Sequence, residues 1–146
     1  MQERGTRVAV FVVDLFAAVS AIAGAVGLVV GYMNIPRSVL TGTPFPDFTI
    51  PALLLGLVVG GSALAAAVTA LFGPRPIDAV ATAGAGSIMV GWITIEIALI
   101  GLGSWLQPTY FVVGLVMIGL AGLLQWARWD RSSASAPPQV PAARTS

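Results

Sequence analysis

Four apolar stretches, at roughly residues 8–32, 51–72, 79–102 and 109–127, take up most of this 146-residue chain. Each is long enough to cross a hydrocarbon core about 30 Å thick at about 1.5 Å of rise per residue. They predict an all-α fold, a transmembrane four-helix bundle over residues 8–127. A short cytoplasmic N-terminus (1–7) precedes it, and a Ser-, Pro- and Ala-rich tail (128–146) is expected to be disordered in the cytoplasm. The first stretch begins with Arg4 and Arg7 and holds Ala21-Ile22-Ala23, as a cleaved signal would. However, Asp14 interrupts the run and no polar cleavage region follows, which favours a retained span.

Composition narrows the chemistry. Apolar residues make up 57% of the chain and charged residues 9%, with a mean hydropathy of +0.92. That leaves no room for a separate soluble catalytic domain. The seven basic residues are all Arg and lie singly, so no nucleic-acid surface is expected. There is no Cys and no His, which removes thiolate ligands, thiol relays, His-ligated haem and a histidine base. No nucleophile lies beside a base and no glycine-rich phosphate loop follows a strand. No enzymatic activity, cofactor or metal is therefore expected.

Charge sets an expected orientation. Arg4, Arg7, Arg75, Arg128 and Arg131 fall on one side of four alternating spans, and only Arg37 on the other. The bias places both termini in the cytoplasm of a multi-pass protein. Tyr32, Trp105 and Tyr110 then mark the outer boundary, and Trp126 and Trp129 the inner one. Gly73-Pro74-Arg75-Pro76 is a tight turn that no helix continues through, and Asp78 after it favours the N-terminal dipole of the third helix. The short third connection, Gly103 to Pro108, makes helices three and four antiparallel neighbours. The first connection, Met33 to Ile50, carries Phe45, Phe48 and Ile50, and either folds over the outer mouth of the bundle or lies as an ordinary interfacial loop.

Small residues mark packing seams, since lipid provides no hydrophobic drive between helices. Ser20, Gly24, Gly27 and Gly31 share one face of the first helix, and Gly56, Gly60, Ala63, Ala67 and Ala70 one face of the second. The stripes can face each other within the chain. Alternatively Gly27, Gly31, Gly56 and Gly60 form a seam to a second copy or to a membrane-protein partner.

Asp14 and Glu96 are the ionisable residues set deep in the apolar stretches, where charge costs about 2.5–3.5 kcal/mol. Counted from opposite ends, they stand roughly 10–15 Å apart along the membrane normal, too far to share a site. Gln125, Arg128 and Arg7 are the expected surroundings of Asp14. Gln107, Tyr110 and Arg37 are those of Glu96, with Trp92 one turn away as a donor. Asp14 at a wet inner rim and Glu96 as a hydrogen-bonded fastener is the structural alternative to a functional role.

Three segments carry a resemblance: Gly42-Thr43-Pro44-Phe45-Pro46-Asp47-Phe48-Thr49-Ile50-Pro51, Gly91-Trp92-Ile93-Thr94-Ile95-Glu96 and Ser104-Trp105-Leu106-Gln107-Pro108-Thr109-Tyr110-Phe111. Over residues 8–127 the chain resembles a group of small, uncharacterised bacterial four-helix membrane proteins. The resemblance implies an inner-membrane location and no chemistry. A weaker similarity is to the small multidrug-resistance transporters, with Asp14 where they carry Glu and without their surrounding pattern. An accessory protein acting through helix contacts is the first expectation, and a small proton-coupled transporter or channel using Glu96 or Asp14 the second.

Overall fold

A backbone in hydrocarbon has no water to bond to, so a helix, which closes its own hydrogen bonds, is the economical way across. The computed structural model describes residues 2–32 and 34–134. Within them lie α1 (Gln2–Val29), α2 (Thr49–Phe72), α3 (Ile77–Ile100) and α4 (Leu106–Ala134). All four are long and apolar enough to span a membrane, and no strand occurs among the described residues. Successive crossings bring the start of α1, the α2–α3 turn and the end of α4 together. This is the arginine end of the bundle. The α1–α2 connection and the α3–α4 turn form the opposite, loop end.

The interior is built of small side chains. Ala17, Ala18 and Ala21 of α1 meet Ala63 and Ala66 of α2, with Ala85, Met89 and Met117 completing the cluster. Large apolar side chains such as Val12, Phe16, Leu57 and Leu123 point outward, as a lipid solvent permits. Gly56 and Gly60 lie against α1: a Cβ at Gly56 would stand 2.9 Å from the Ala25 Cβ, and one at Gly60 2.8 Å from Ile22 Cγ1. The α2 glycines thus pack on Ala21, Ile22 and Ala25 of α1, and of the expected α1 stripe Gly24 meets Leu55 rather than the α2 small residues. Gly31, by contrast, sits in open space with φ +70° in the turn after α1. A second seam joins α3 to α4 at Gly86 and Gly114, where a Cβ on Gly86 would lie 2.7 Å from the Gly114 carbonyl oxygen.

Two boundaries and the interior of one helix differ from expectation. Helix α1 starts at Gln2, because the first turn is held by ion pairs at Glu3 rather than lying free in solvent. Helix α4 continues beyond Trp129 to Ala134, supported by Arg131 Nη1 at 2.9 Å from Glu3 Oε2 and by Ser132 and Ser133 hydroxyls donating to the preceding turn. The remainder of the expected tail, 135–146, lies outside the described residues. Helix α2 is not α-helical throughout: Leu54–Gly60 forms a π-helical segment between Thr49–Leu53 and Gly61–Phe72. Its Gly56 and Gly60 have no side chains, so the widened turn rests directly on α1.

Candidate functional site

At the loop end the helices part around a cavity of about 480 Å³. Leu28 closes it from α1, and Leu54, Leu55, Val58 and Val59 of the π-helical segment form one wall. Ile88, Gly91, Trp92, Ile95, Glu96 and Leu99 of α3 form the other. The connection between α1 and α2 lies across the top. A 3-10 turn, Arg37–Leu40, tucks Leu40 into the protein, and Val39, Phe45 and Phe48 reach the cavity beside it. Its apolar residues therefore cover the mouth of the bundle. π-helical segments recur at functional sites, where the extra residue per turn re-aims side chains.

The wall is almost wholly apolar. Thr43 lines it, but its hydroxyl already donates to the Leu40 carbonyl at 2.8 Å. Glu96 is the one ionisable residue lining it among the described residues. The carboxyl is half-buried and is held by Gln107, whose Nε2 donates to Glu96 Oε1 at 3.4 Å and to the Gly101 carbonyl at 3.1 Å. Gln107 itself is 2% exposed, and its Oε1 accepts from the Gly103 and Ser104 N–H groups at 3.0 and 3.4 Å. One side chain thus clips the α3–α4 turn and fixes the carboxyl. The Trp92 indole lines the same cavity one helical turn below Glu96. Such a site can hold a mostly apolar molecule with a single cationic or donor group.

Asp14 occupies a different environment. It is 0% exposed in the bundle interior, and Thr82 Oγ1 of α3 donates across to its Oδ2 at 2.7 Å. Its Oδ1 has no hydrogen-bond partner among the described residues. The expected wet rim is overturned by this burial. Gln125 is exposed on the outer face of α4 and so does not serve Asp14, while Arg7 and Arg128 are committed elsewhere. Tyr110 stacks on Phe16, with ring centroids 6.5 Å apart and planes 9° from parallel, and so faces α1. Arg37 acts on Asp47 in the connection rather than on Glu96.

Below Asp14 the arginine end is closed by ion pairs that the residue spacing did not reveal. Asp78, fully buried one turn from Thr82, receives Arg128 in a fork: Nη1 to Oδ1 at 2.8 Å and Nη2 to Oδ2 at 2.6 Å. Arg7 adds its charge at 3.5 Å from Asp78 while donating to the Ala70 and Gly73 carbonyls, both at 2.8 Å. Those carbonyls end α2, so Arg7 also caps that helix. Glu3 gathers Arg75, Arg128 and Arg131. Asp78 therefore does more than complement a helix dipole. It ties α1, α3 and α4 at one level.

Outside the spans, Asp47 Oδ1 accepts the Thr49 N–H at 2.9 Å at the start of α2. That backbone bond, aided by the Arg37 charge, holds the Asp47 carboxyl below its ordinary 3.8. Comparison with protein-family models, curated proteins and solved structures gives no match. The class defined by the fold and its interior is a small all-helical membrane protein with a buried network of ion pairs and hydrogen bonds around Glu3, Asp78 and Asp14.

Proposed function

We propose that the protein is a small proton-coupled transporter whose binding site is the Glu96 cavity. The observation that carries this reading is an apolar volume of about 480 Å³ with a lone carboxyl set in its wall. A carboxylate facing hydrocarbon needs one compensating positive charge, and a proton or a cationic ligand can supply it. The two occupy Glu96 alternately, which couples proton and solute. The site favours a lipophilic molecule bearing a single positive charge. An accessory role through helix contacts has less support, because it needs no such cavity and because Gly56 and Gly60 are used within the chain.

In this reading the arginine end faces the cytoplasm of a bacterial inner membrane, by the arginine bias across the spans. The ion pairs there form the closed gate at the arginine end, and the α1–α2 connection covers the cavity at the loop end. No chemical transformation is involved, and Asp14 serves as a second proton site behind the gate. The test is uptake of a permanently charged lipophilic cation, such as tetraphenylphosphonium, into proteoliposomes under an imposed pH gradient. Wild type accumulates the cation when the gradient is present, and Glu96→Gln does not. Gradient-independent uptake equal in both proteins would reject the proposal.

A further inference from the structure

We propose a second binding site at the arginine end: a concavity of about 260 Å³ lined by Glu3, Arg4, Arg7, Arg75 and Arg131, which takes the phosphate of an anionic phospholipid headgroup. The inference stands apart from the Glu96 cavity. Five guanidinium groups (Arg4, Arg7, Arg75, Arg128, Arg131) meet three carboxylates (Glu3, Asp78, Asp130) at this end, leaving an excess of two positive charges. Asp78 is consumed by Arg128 and Arg7. The two oxygens of Glu3 are shared among Arg75, Arg128 and Arg131. Arg4 lines the concavity, is exposed, and makes no ion pair with a described residue.

A guanidinium presents five donors in a planar fork that fits a phosphate, and several converging on one hollow form a site for such an anion. The level of the hollow argues that the phosphate belongs to a lipid. Phe72, Trp126 and Trp129 are exposed at the same end of the bundle, 81%, 67% and 76% respectively. Exposed Trp side chains there mark the headgroup layer of a bilayer. A phospholipid lying against them has its phosphate at the depth of the arginines.

The experiment uses the full chain in neutral detergent and reads both native mass spectra and melting temperature. The probes are phosphatidylglycerol, phosphatidylcholine and inorganic phosphate, each added alone. Phosphatidylglycerol is expected to remain bound in the spectra and to raise Tm by on the order of 5 °C. Arg4→Gln breaks no ion pair with a described residue and is expected to weaken that effect about fivefold, and Arg4→Gln/Arg75→Gln more than tenfold. Arg37→Gln, at the loop end, should change nothing. Equal stabilisation by phosphatidylcholine, or retention unaffected by Arg4→Gln, would overturn the site. Stabilisation by inorganic phosphate as large as that by the lipid would overturn its assignment to a headgroup.

Discussion

Replacing Gly86 by alanine adds one methyl group where the α3 and α4 backbones lie close together. That Cβ would lie 2.7 Å from the Gly114 carbonyl oxygen, 2.9 Å from the Met117 Cβ and 3.0 Å from Ile118 Cγ1. Carbon and carbonyl oxygen rest at about 3.3 Å or more, so the helices must part by about 0.6 Å. Two of the three obstacles are backbone and Cβ, which cannot swing aside as a side-chain tip does. Overpacking of this kind costs about 1–3 kcal/mol, against which alanine regains up to about 1 kcal/mol of helix propensity. The same helix pair also carries the Asp78–Arg128 fork at one end and the Glu96–Gln107 contact at the other, so separation strains both. At about 2–4 °C per kcal/mol, a net loss near 1–2 kcal/mol lowers Tm by roughly 2–8 °C. The control is Gly119→Ala on α4, where a Cβ meets nothing within 4 Å. Thermal melts in detergent, followed by far-UV circular dichroism, should rank Gly119→Ala at or above wild type and Gly86→Ala below it. Gly86→Ala melting level with Gly119→Ala would refute the close α3–α4 seam.

Arg128→Gln removes the forked partner of the fully buried Asp78 and leaves it Arg7 at 3.5 Å, so the cost should fall at or below about 3 kcal/mol, much of it recovered in Asp78→Asn/Arg128→Gln; a double-mutant cycle of melting curves measures it. Thr82→Val keeps the shape but leaves both Asp14 oxygens without a donor among the described residues, an expected loss of about 1–3 kcal/mol, read in the same melts. Asp47 titrates outside the spans, and its folded pKa lies below the ordinary 3.8. Its contribution is therefore complete above that value and is lost as pH falls through the depressed folded value. The Tm difference between wild type and Asp47→Asn should be constant from neutral pH to about pH 5 and shrink below about pH 4.

Hydropathy made the four spans readable, because a run of twenty apolar residues has few other uses. The loop-end site was partly readable too. Glu96, Trp92 and Gln107 stand at helical spacing or across a short turn, and Phe45 and Phe48 are conspicuous in a connection otherwise rich in Pro and Thr. The arginine end was not. Glu3 and Arg4 look like solvent residues before a helix begins, and only the packing of three helix ends makes Glu3 a buried acceptor. Thr82 is inconspicuous among alanines and glycines, yet it is one turn from Asp78 and faces Asp14. Gln125 was misplaced because depth along a helix says nothing of its azimuth. The π-helical turn of α2 has no periodicity of its own to read, and the Gly86–Gly114 seam is hidden among many glycines.

Proton release on binding measures the proposed competition between a proton and a cation at Glu96 directly. Tetraphenylphosphonium cannot itself titrate, so any proton released into weakly buffered detergent solution comes from the protein. Near-stoichiometric release is expected from wild type and none from Glu96→Gln, with Asp14→Asn retaining it. Binding without release from wild type, or equal release from Glu96→Gln, would contradict that competition.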